Sequence, residues 1–204
     1  MKVSVIMPVY NRAEQTRKLL DKLMYCKRNY PQTEIIVVEN GSDEDMSFLE
    51  EYDIVLRHCE KGVSRARNLA LDICTGDYIT FIDNDDWIAG YYLDVIYDRI
   101  KSGADWYIWQ WYSDETFDDM SDLDLNAPLK KQVALWGYCF KKGLFDGVRF
   151  DLDDPYGDKK IADVLRPDTK GELIEIPMYR YRFLGNAGSI CHELWKQTHT
   201  TSQD

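Results

Sequence analysis

The order of apolar runs along the chain predicts an α/β protein with a mostly parallel central sheet flanked by helices. Three observations carry this prediction. Short β-branched runs alternate with helical patterns through the first hundred or so residues. Three of the expected strands end in polar clusters, and ligands on doubly wound sheets bind outside the carboxyl ends of the strands. At 204 residues the chain is long enough for one well-buried core and hardly for two, so a single domain over residues 1–204 is expected.

Val3–Val9 is β-branched and reads as the first strand. Asn11 with Glu14 three residues on offers an Asn-led capping box. Thr16, Leu19, Leu20, Leu23 and Met24 then recur at helical spacing and give one buried face before Pro31. Residues 34–38 form a second strand that runs into Glu39-Asn40-Gly41-Ser42-Asp43, and 53–57 a weaker third. From Val63 the positions Ala66, Leu69, Ala70 and Ile73 mark another helix, which Gly76 stops. Tyr78-Ile79-Thr80-Phe81-Ile82 is a buried strand feeding Asp83-Asn84-Asp85-Asp86. The second half is less regular. A helix over 88–102 turns Leu93, Ile96, Tyr97 and Ile100 inward and leads to an alternating strand over 105–112. Trp106 and Trp109 of that strand cannot share a face; core packing is the commoner use of such aromatics, and a platform for sugar rings the rarer. A helix over 128–142, an acidic turn at 151–158, a helix from Lys160, and strands over 172–176 and 179–183 complete the order.

Hydrophobic content of 45% is that of a globular protein, and no apolar stretch approaches bilayer length, so no transmembrane segment is expected. The apolar run after Lys2 breaks at Pro8, which does not fit a cleaved leader. Cys26, Cys59, Cys74, Cys139 and Cys191 are odd in number and widely spaced, which argues against a zinc cage or disulfide framework and for a reducing cytoplasm. A net charge of −11 repels a polyanion, and the Lys and Arg residues form no stripe, so direct nucleic-acid binding is not expected. Much of the acidity falls in 114–124, read as a surface loop.

Asp83-Asn84-Asp85-Asp86 is the strongest chemical signal. It sets hard oxygen ligands, of the kind that hold Mg²⁺ or Mn²⁺ against a substrate's phosphates, directly behind a buried strand. An Asp-x-Asp after a strand is more often a solvated capping turn. Here Tyr10 and Asn11 after the first strand, and Glu39 with its followers after the second, come to the same edge and favour a ligand site.

Taken in order, these segments resemble the inverting family 2 glycosyltransferases of GT-A fold, enzymes that build bacterial polysaccharides from nucleotide sugars. The resemblance spans about 3–190. Val3-Ser4-Val5-Ile6-Met7-Pro8-Val9-Tyr10-Asn11 is similar to the family's opening strand, and Glu39-Asn40-Gly41-Ser42-Asp43 to its Asp-Asp-Gly-Ser turn. Gly62-Val63-Ser64-Arg65-Ala66-Arg67-Asn68 resembles the Gly-x-x-x-Ala-Arg-Asn helix, and residues 76–86 the metal-binding strand. Trp136-Gly137 and 141–150 resemble the approach to the acceptor site, Tyr156-Gly157-Asp158 the segment that usually reads Glu-Asp, and Tyr179-Arg180-Tyr181-Arg182 with Gly188-Ser189-Ile190 the closing strand and loop.

The resemblance implies a nucleotide-sugar-binding half at about 1–103 and a smaller mixed acceptor-binding half at about 104–204. It implies Mn²⁺ or Mg²⁺ held by Asp85 with Asp83, while Asp83 and Asp86 also stand near enough for the ribose or for metal-bound water. Pro8, Tyr10, Asn11, Glu39, Asn40, Arg65, Asn68, Asp83 and Asn84 would contact the nucleotide sugar; Arg65 and Asn68 lie three apart on one helix face, away from Ala66 and Ile73. Asp158 would be the general base that takes the acceptor's proton, and Arg182 and His192 could reach the diphosphate. The implied substrates are a nucleoside diphosphate sugar, a UDP-sugar first, and a saccharide or glycoconjugate acceptor.

Glu39-Asn40 stands in place of paired aspartates, and Gly157 in place of the usual Glu. The end of the chain soon after Ile190 suggests that the extra C-terminal helices of larger relatives are absent. A nucleotidyltransferase would need a Gly-rich phosphate loop and a Lys after the first strand, which Pro8-Val9-Tyr10-Asn11-Arg12 does not supply. A non-catalytic sugar-nucleotide-binding protein of the same fold is the other alternative; Asp85 and Asp158 speak against it.

Overall fold

The computed structural model describes residues 1–113, 117–118, 134–154 and 160–181. The strands β1 (Val3–Val9), β2 (Glu34–Glu39), β3 (Val55–His58) and β4 (Tyr78–Phe81) are parallel and lie in the order β3-β2-β1-β4. Helix α1 (Ala13–Lys27) carries the chain from β1 to β2, and α2 (Val63–Ile73) from β3 to β4. Then follow β5 (Trp87–Ile88), α3 (Tyr92–Arg99), β6 (Trp106–Ser113), β7 (Phe117–Asp118), β8 (Tyr138–Lys141), α4 (Ile161–Val164) and β9 (Gly171–Tyr181). The sheet continues from β4 through β8, β6 and β9 to β5, with β7 paired to β6. β8 is antiparallel to both β4 and β6, and β9 is parallel to β6. The carboxyl ends of β6 and β9 therefore emerge on the same edge as those of β1 to β4.

β1 is buried on both faces, so no polar alternation shows in its sequence. Val3, Val5, Met7 and Val9 face Leu19, Leu20 and Leu23 of α1 and Leu93 and Ile96 of α3. Ile6 belongs to the opposite face with Ala66, Ala70 and Leu71 of α2. Trp106 and Trp109 also separate to opposite faces and both serve the core: Trp106 lies edge-on to Tyr138, and Trp109 edge-on to Tyr92.

Several elements depart from the sequence expectation. The helix over 128–142 is not formed in its described part: a 3-10 turn at Leu135–Gly137 leads into β8, whose aromatics fill the slot between β4 and β6. The helix over 88–102 begins only at Tyr92, because Trp87 and Ile88 pair with Arg180 and Tyr179. The two strands over 172–176 and 179–183 are one strand, β9, whose ladder with β6 shifts register between Trp109 and Trp111. Pro177, which has no N–H to give, falls within that break. The turn at 151–158 is described only to Asp154, and of the acidic loop at 114–124 only Phe117 and Asp118.

Gly76 does not stop α2, which ends at Ile73. It is needed for close approach: a Cβ there would sit 2.6 Å from the backbone nitrogen and Oγ of Ser4. That contact belongs to a polar knot on the amino edge of the sheet. Glu34 Oε2 accepts from Ser4 Oγ at 2.5 Å and from the Thr75 N–H at 2.8 Å, while Oε1 accepts from Thr75 Oγ1 at 2.7 Å and Lys2 Nζ at 3.0 Å. Burial alone would raise the pKa of Glu34, but the bonds from Ser4, Thr75 and Lys2 outweigh it and bring it to about 2.

A carboxylate whose pKa is lowered on folding adds stability above its unfolded pKa and loses it as the pH falls through the folded value. Glu34 should thus contribute on the order of 3 kcal/mol at neutral pH, lost progressively between about pH 4.5 and pH 2. Denaturant unfolding of Glu34→Ala should show destabilisation of that order at pH 7 and a shallower acid limb than the parent.

Candidate active site

The carboxyl edge of the sheet gathers the polar clusters. Behind β4, the four side chains Asp83, Asn84, Asp85 and Asp86 are held from four directions. Arg67 Nη2 of α2 donates to Asp83 Oδ1 at 3.1 Å, with the arginine side chain 3% exposed and the aspartate 30%. Asn84 Nδ2 donates to the carbonyl of Asn11 at 3.0 Å and to Thr16 Oγ1 of α1 at 2.9 Å. Arg12 Nε lies 3.8 Å from Asp85 Oδ2. The Tyr179 hydroxyl of β9 donates to Asp86 Oδ2 at 2.7 Å and accepts the Asp83 N–H at 3.1 Å.

The link from β1 to α1 is strained. Asn11 and Arg12 both adopt left-handed backbone, with φ of 54° and 65°, an arrangement that costs non-glycine residues about 1–3 kcal/mol each and persists where surroundings enforce it. The enforcement is visible. The Asn11 N–H donates to Ser42 Oγ at 2.8 Å, and Asn11 Oδ1 accepts from the N–H groups of Asp43 at 2.8 Å and Glu44 at 3.3 Å. With Asn11 so engaged, the expected capping box does not form; Glu44 caps α1 instead, accepting the Ala13 N–H at 2.8 Å. That N–H, together with the N–H of Arg12, keeps the Glu44 carboxyl below its usual range.

At the end of β2, Glu39 Oε1 accepts the Ser42 N–H at 2.5 Å, and Oε2 lies 3.2 Å from His58 Nδ1. Burial works to raise its pKa, but the bonds from Ser42 and His58 prevail and lower it, so Glu39 is ionised at neutral pH. Asn40 is buried, donating through Nδ2 to the Val9 carbonyl at 2.7 Å and accepting the Gly62 N–H at 3.1 Å. Tyr10 donates to Asp43 Oδ2 at 3.0 Å, and Lys61 Nζ lies 2.6 Å from its hydroxyl.

The structure thus brings Tyr10, Asn11, Glu39, Asn40, Asp83, Asn84 and Asp85 to one edge. Pro8 is buried within β1. Arg65, in the first turn of α2, is exposed and 3.8 Å from Glu60, and Asn68 exchanges two hydrogen bonds with the backbone of Phe150. Asp158, Gly157, Arg182 and His192 lie outside the described residues. Sequence reasoning missed Arg67, Tyr179 and Glu44. Arg67 shares the buried face of α2 with Ser64, Ala66 and Ala70; Tyr179 and Glu44 act across the fold and leave no local signal.

Among the described residues, no cluster of three or more His, Cys, Asp or Glu side chains is set to hold a metal ion. The donor set that remains, the two carboxylates of Asp83 and Asp85 behind β4, is of the kind an ion of the Mg²⁺ class takes, which completes its shell with water and substrate phosphates.

The family model for glycosyl transferase family 2 matches residues 4–157, and the chain belongs to that family. It is 29% identical over 230 aligned positions to the glycosyltransferase GlyA of Streptococcus pneumoniae, covering 95% of this chain and 32% of GlyA. It is 22% identical over 189 positions to GlyG of the same organism, covering 77% of this chain and 62% of GlyG. The chain therefore spans about a third of the one relative and about three fifths of the other. Staphylococcus aureus TarS, also solved with UDP and with UDP-GlcNAc, superposes with a TM-score of 0.77 at 18% identity, covering 90% of this chain and 37% of TarS. The mannosyltransferase PcManGT of Pyrobaculum calidifontis, in complex with GDP-Man and Mn²⁺, gives 0.70 at 19%, covering 95% of this chain and 59% of that one. The fold is GT-A, as the sequence led us to expect.

The two arginines of α2 should separate in a stability measurement. Arg67→Ala removes a buried partner of Asp83 and should cost about 2–4 kcal/mol in denaturant unfolding, whereas Arg65→Ala, at an exposed pair, should cost less than about 0.5 kcal/mol.

Proposed function

We propose that the chain is a metal-dependent, inverting glycosyltransferase domain. It would move a sugar from a nucleoside diphosphate sugar, a UDP-sugar first, to a hydroxyl of a saccharide or glycoconjugate acceptor in polysaccharide or glycoconjugate synthesis. The observation that carries this reading is the acidic turn at the carboxyl end of β4, braced by Arg67, Asn11, Thr16 and Tyr179 and facing the Glu39 and Asn11 loops. Family membership supports it, as do the UDP-GlcNAc complex of TarS and the Mn²⁺ complex of PcManGT. Residues 1–103 would hold the donor and 104–204 the acceptor. The free thiols of Cys26, Cys59, Cys74 and Cys139 fit a reducing cytoplasm, and among the described residues no helix is long and apolar enough to cross a membrane.

Asp85, with Asp83, would hold Mn²⁺ or Mg²⁺, which when bound neutralises the charge growing on the departing diphosphate. Arg12, beside Asp85, adds a fixed positive charge to the same region. Glu39 stays ionised, and each of its oxygens keeps a lone pair for an N–H donor of the base. Asp158 would accept the proton of the acceptor hydroxyl as that oxygen attacks the anomeric carbon from the face opposite the leaving group, which inverts the centre without a covalent intermediate. Arg182 and His192 would contact the diphosphate.

Two substitutions test the division of roles. Asp158→Asn should leave UDP-sugar affinity close to the parent while transfer falls by roughly 10²-fold or more. Asp85→Asn should weaken donor binding and turnover together, and UDP should bind much more weakly to the parent in EDTA than in Mn²⁺. UDP release across a donor and acceptor panel, with calorimetry for affinity, measures all three. Near-parental transfer by Asp158→Asn would move the base elsewhere, and equal UDP affinity with and without Mn²⁺ would remove the metal role of Asp85.

A further inference from the structure

We infer that Tyr179 is a positioning residue for the acidic turn, fixing the geometry in which Asp83 and Asp85 meet the metal and the donor diphosphate; this rests on the glycosyltransferase reading above. The evidence is geometric. A buried tyrosine hydroxyl needs a partner, and one backbone carbonyl would meet that need. Tyr179 instead spends both of its hydrogen-bonding capacities on a single turn, donating to Asp86 Oδ2 at 2.7 Å and accepting the Asp83 N–H at 3.1 Å. The turn is also closed by the Asp86 N–H on the Asp83 carbonyl, at 3.2 Å. Its first and last residues are thus joined twice, and Asn84 and Asp85 between them inherit the constraint.

The hydroxyl itself is firmly placed. Tyr179 is 1% exposed, and its ring stacks on Trp136 with centroids 4.5 Å apart and planes 6° from parallel. Trp136 stacks in turn on Tyr181 at 5.4 Å and meets Trp111 edge-on at 5.0 Å. Tyr179 also pairs with Ile88, two residues beyond Asp86, so the ladder of β9 with β5 sets the height of the ring relative to the turn. Every element in this brace other than the turn and β5 belongs to the second half of the chain. The acceptor-side half therefore adds its own brace to the donor-side carboxylates, beside those from α1 and α2, in the way that hydrogen-bond partners outside a metal's own ligands orient those ligands.

A phenylalanine would fill the same stack and remove only the hydroxyl. In the full chain, Tyr179→Phe should weaken UDP binding in Mn²⁺ by about 10-fold, the lower end of the loss seen when partners of metal ligands are removed, and leave UDP binding in EDTA unchanged. Turnover should fall more than KM rises. A purely structural role would lower the melting temperature but leave the ratio of the two UDP affinities at the parental value in folded protein, and that result overturns the inference. If Tyr179→Phe does not fold, Trp136→Phe decides, because it loosens the stack that places the phenol and leaves every carboxylate of the turn in place: a loss in the same ratio of about 2–3-fold supports the inference and a parental ratio overturns it. If the parent protein itself binds UDP equally in Mn²⁺ and EDTA, the metal reading falls and this inference with it.

Discussion

Three carboxylates and an amide within four residues must be kept together against their own repulsion, and much of the rest of the molecule is arranged to do this. Two like charges about 4 Å apart repel by on the order of 4 kcal/mol at the effective dielectric near a protein surface, so a turn of this composition does not hold its shape unaided. Its braces come from separate parts of the chain: Arg67 from α2, Thr16 from α1, the Asn11 carbonyl and Arg12 from the β1–α1 link, and Tyr179 from β9. Each brace depends on its own element being packed. The apolar faces of α1 and α2, with Leu19 and Leu23 on one side of the sheet and Ala66 and Ala70 on the other, thus decide where the carboxylates point.

The two edges of the sheet are built to different ends. On the amino edge, Glu34 collects donors from Ser4, Thr75 and Lys2 until its charge is satisfied inside the protein, a stabilising arrangement with nothing left over for a ligand. On the carboxyl edge, charge is braced without being consumed. Asp83 gives Arg67 one of its oxygens and keeps 30% of its side chain exposed, and two successive left-handed residues hold Arg12 beside Asp85. Strain of this kind is found where the surrounding structure enforces a geometry that function needs.

The parallel half was legible because its signals are local. The apolar run of β1, the helical spacing of Leu19, Leu20 and Leu23, and the polar residues that follow β1, β2 and β4 lie next to one another in the chain, and the topology carries them to one edge. What was not legible acts at a distance. Nothing near Asn11 shows that its side chain will be taken by Asp43 and Glu44, leaving the cap of α1 to Glu44. Arg65 and Arg67 differ by two positions on α2, and the tertiary packing of the helix leaves one exposed beside Glu60 and turns the other, buried, toward Asp83. The strand at 138–141 is not legible locally, because its partners β4 and β6 lie far away in the chain and a short aromatic run carries no period that distinguishes strand from helix.

The Glu39-Asn40 pair, where the family usually has two aspartates, has a physical account in these contacts. Asn40 gives its amide N–H to the Val9 carbonyl and its oxygen to the Gly62 N–H, tying β1, β2 and the start of α2 with one side chain. An ionised aspartate can accept from Gly62 but has no hydrogen to give Val9, so this tie requires the amide. Glu39 is then left as the ionised acceptor of the turn, anchored by the Ser42 N–H and flanked by His58. The orientation of this one carboxylate is thus set by Ser42 and His58 in place of a neighbouring acid.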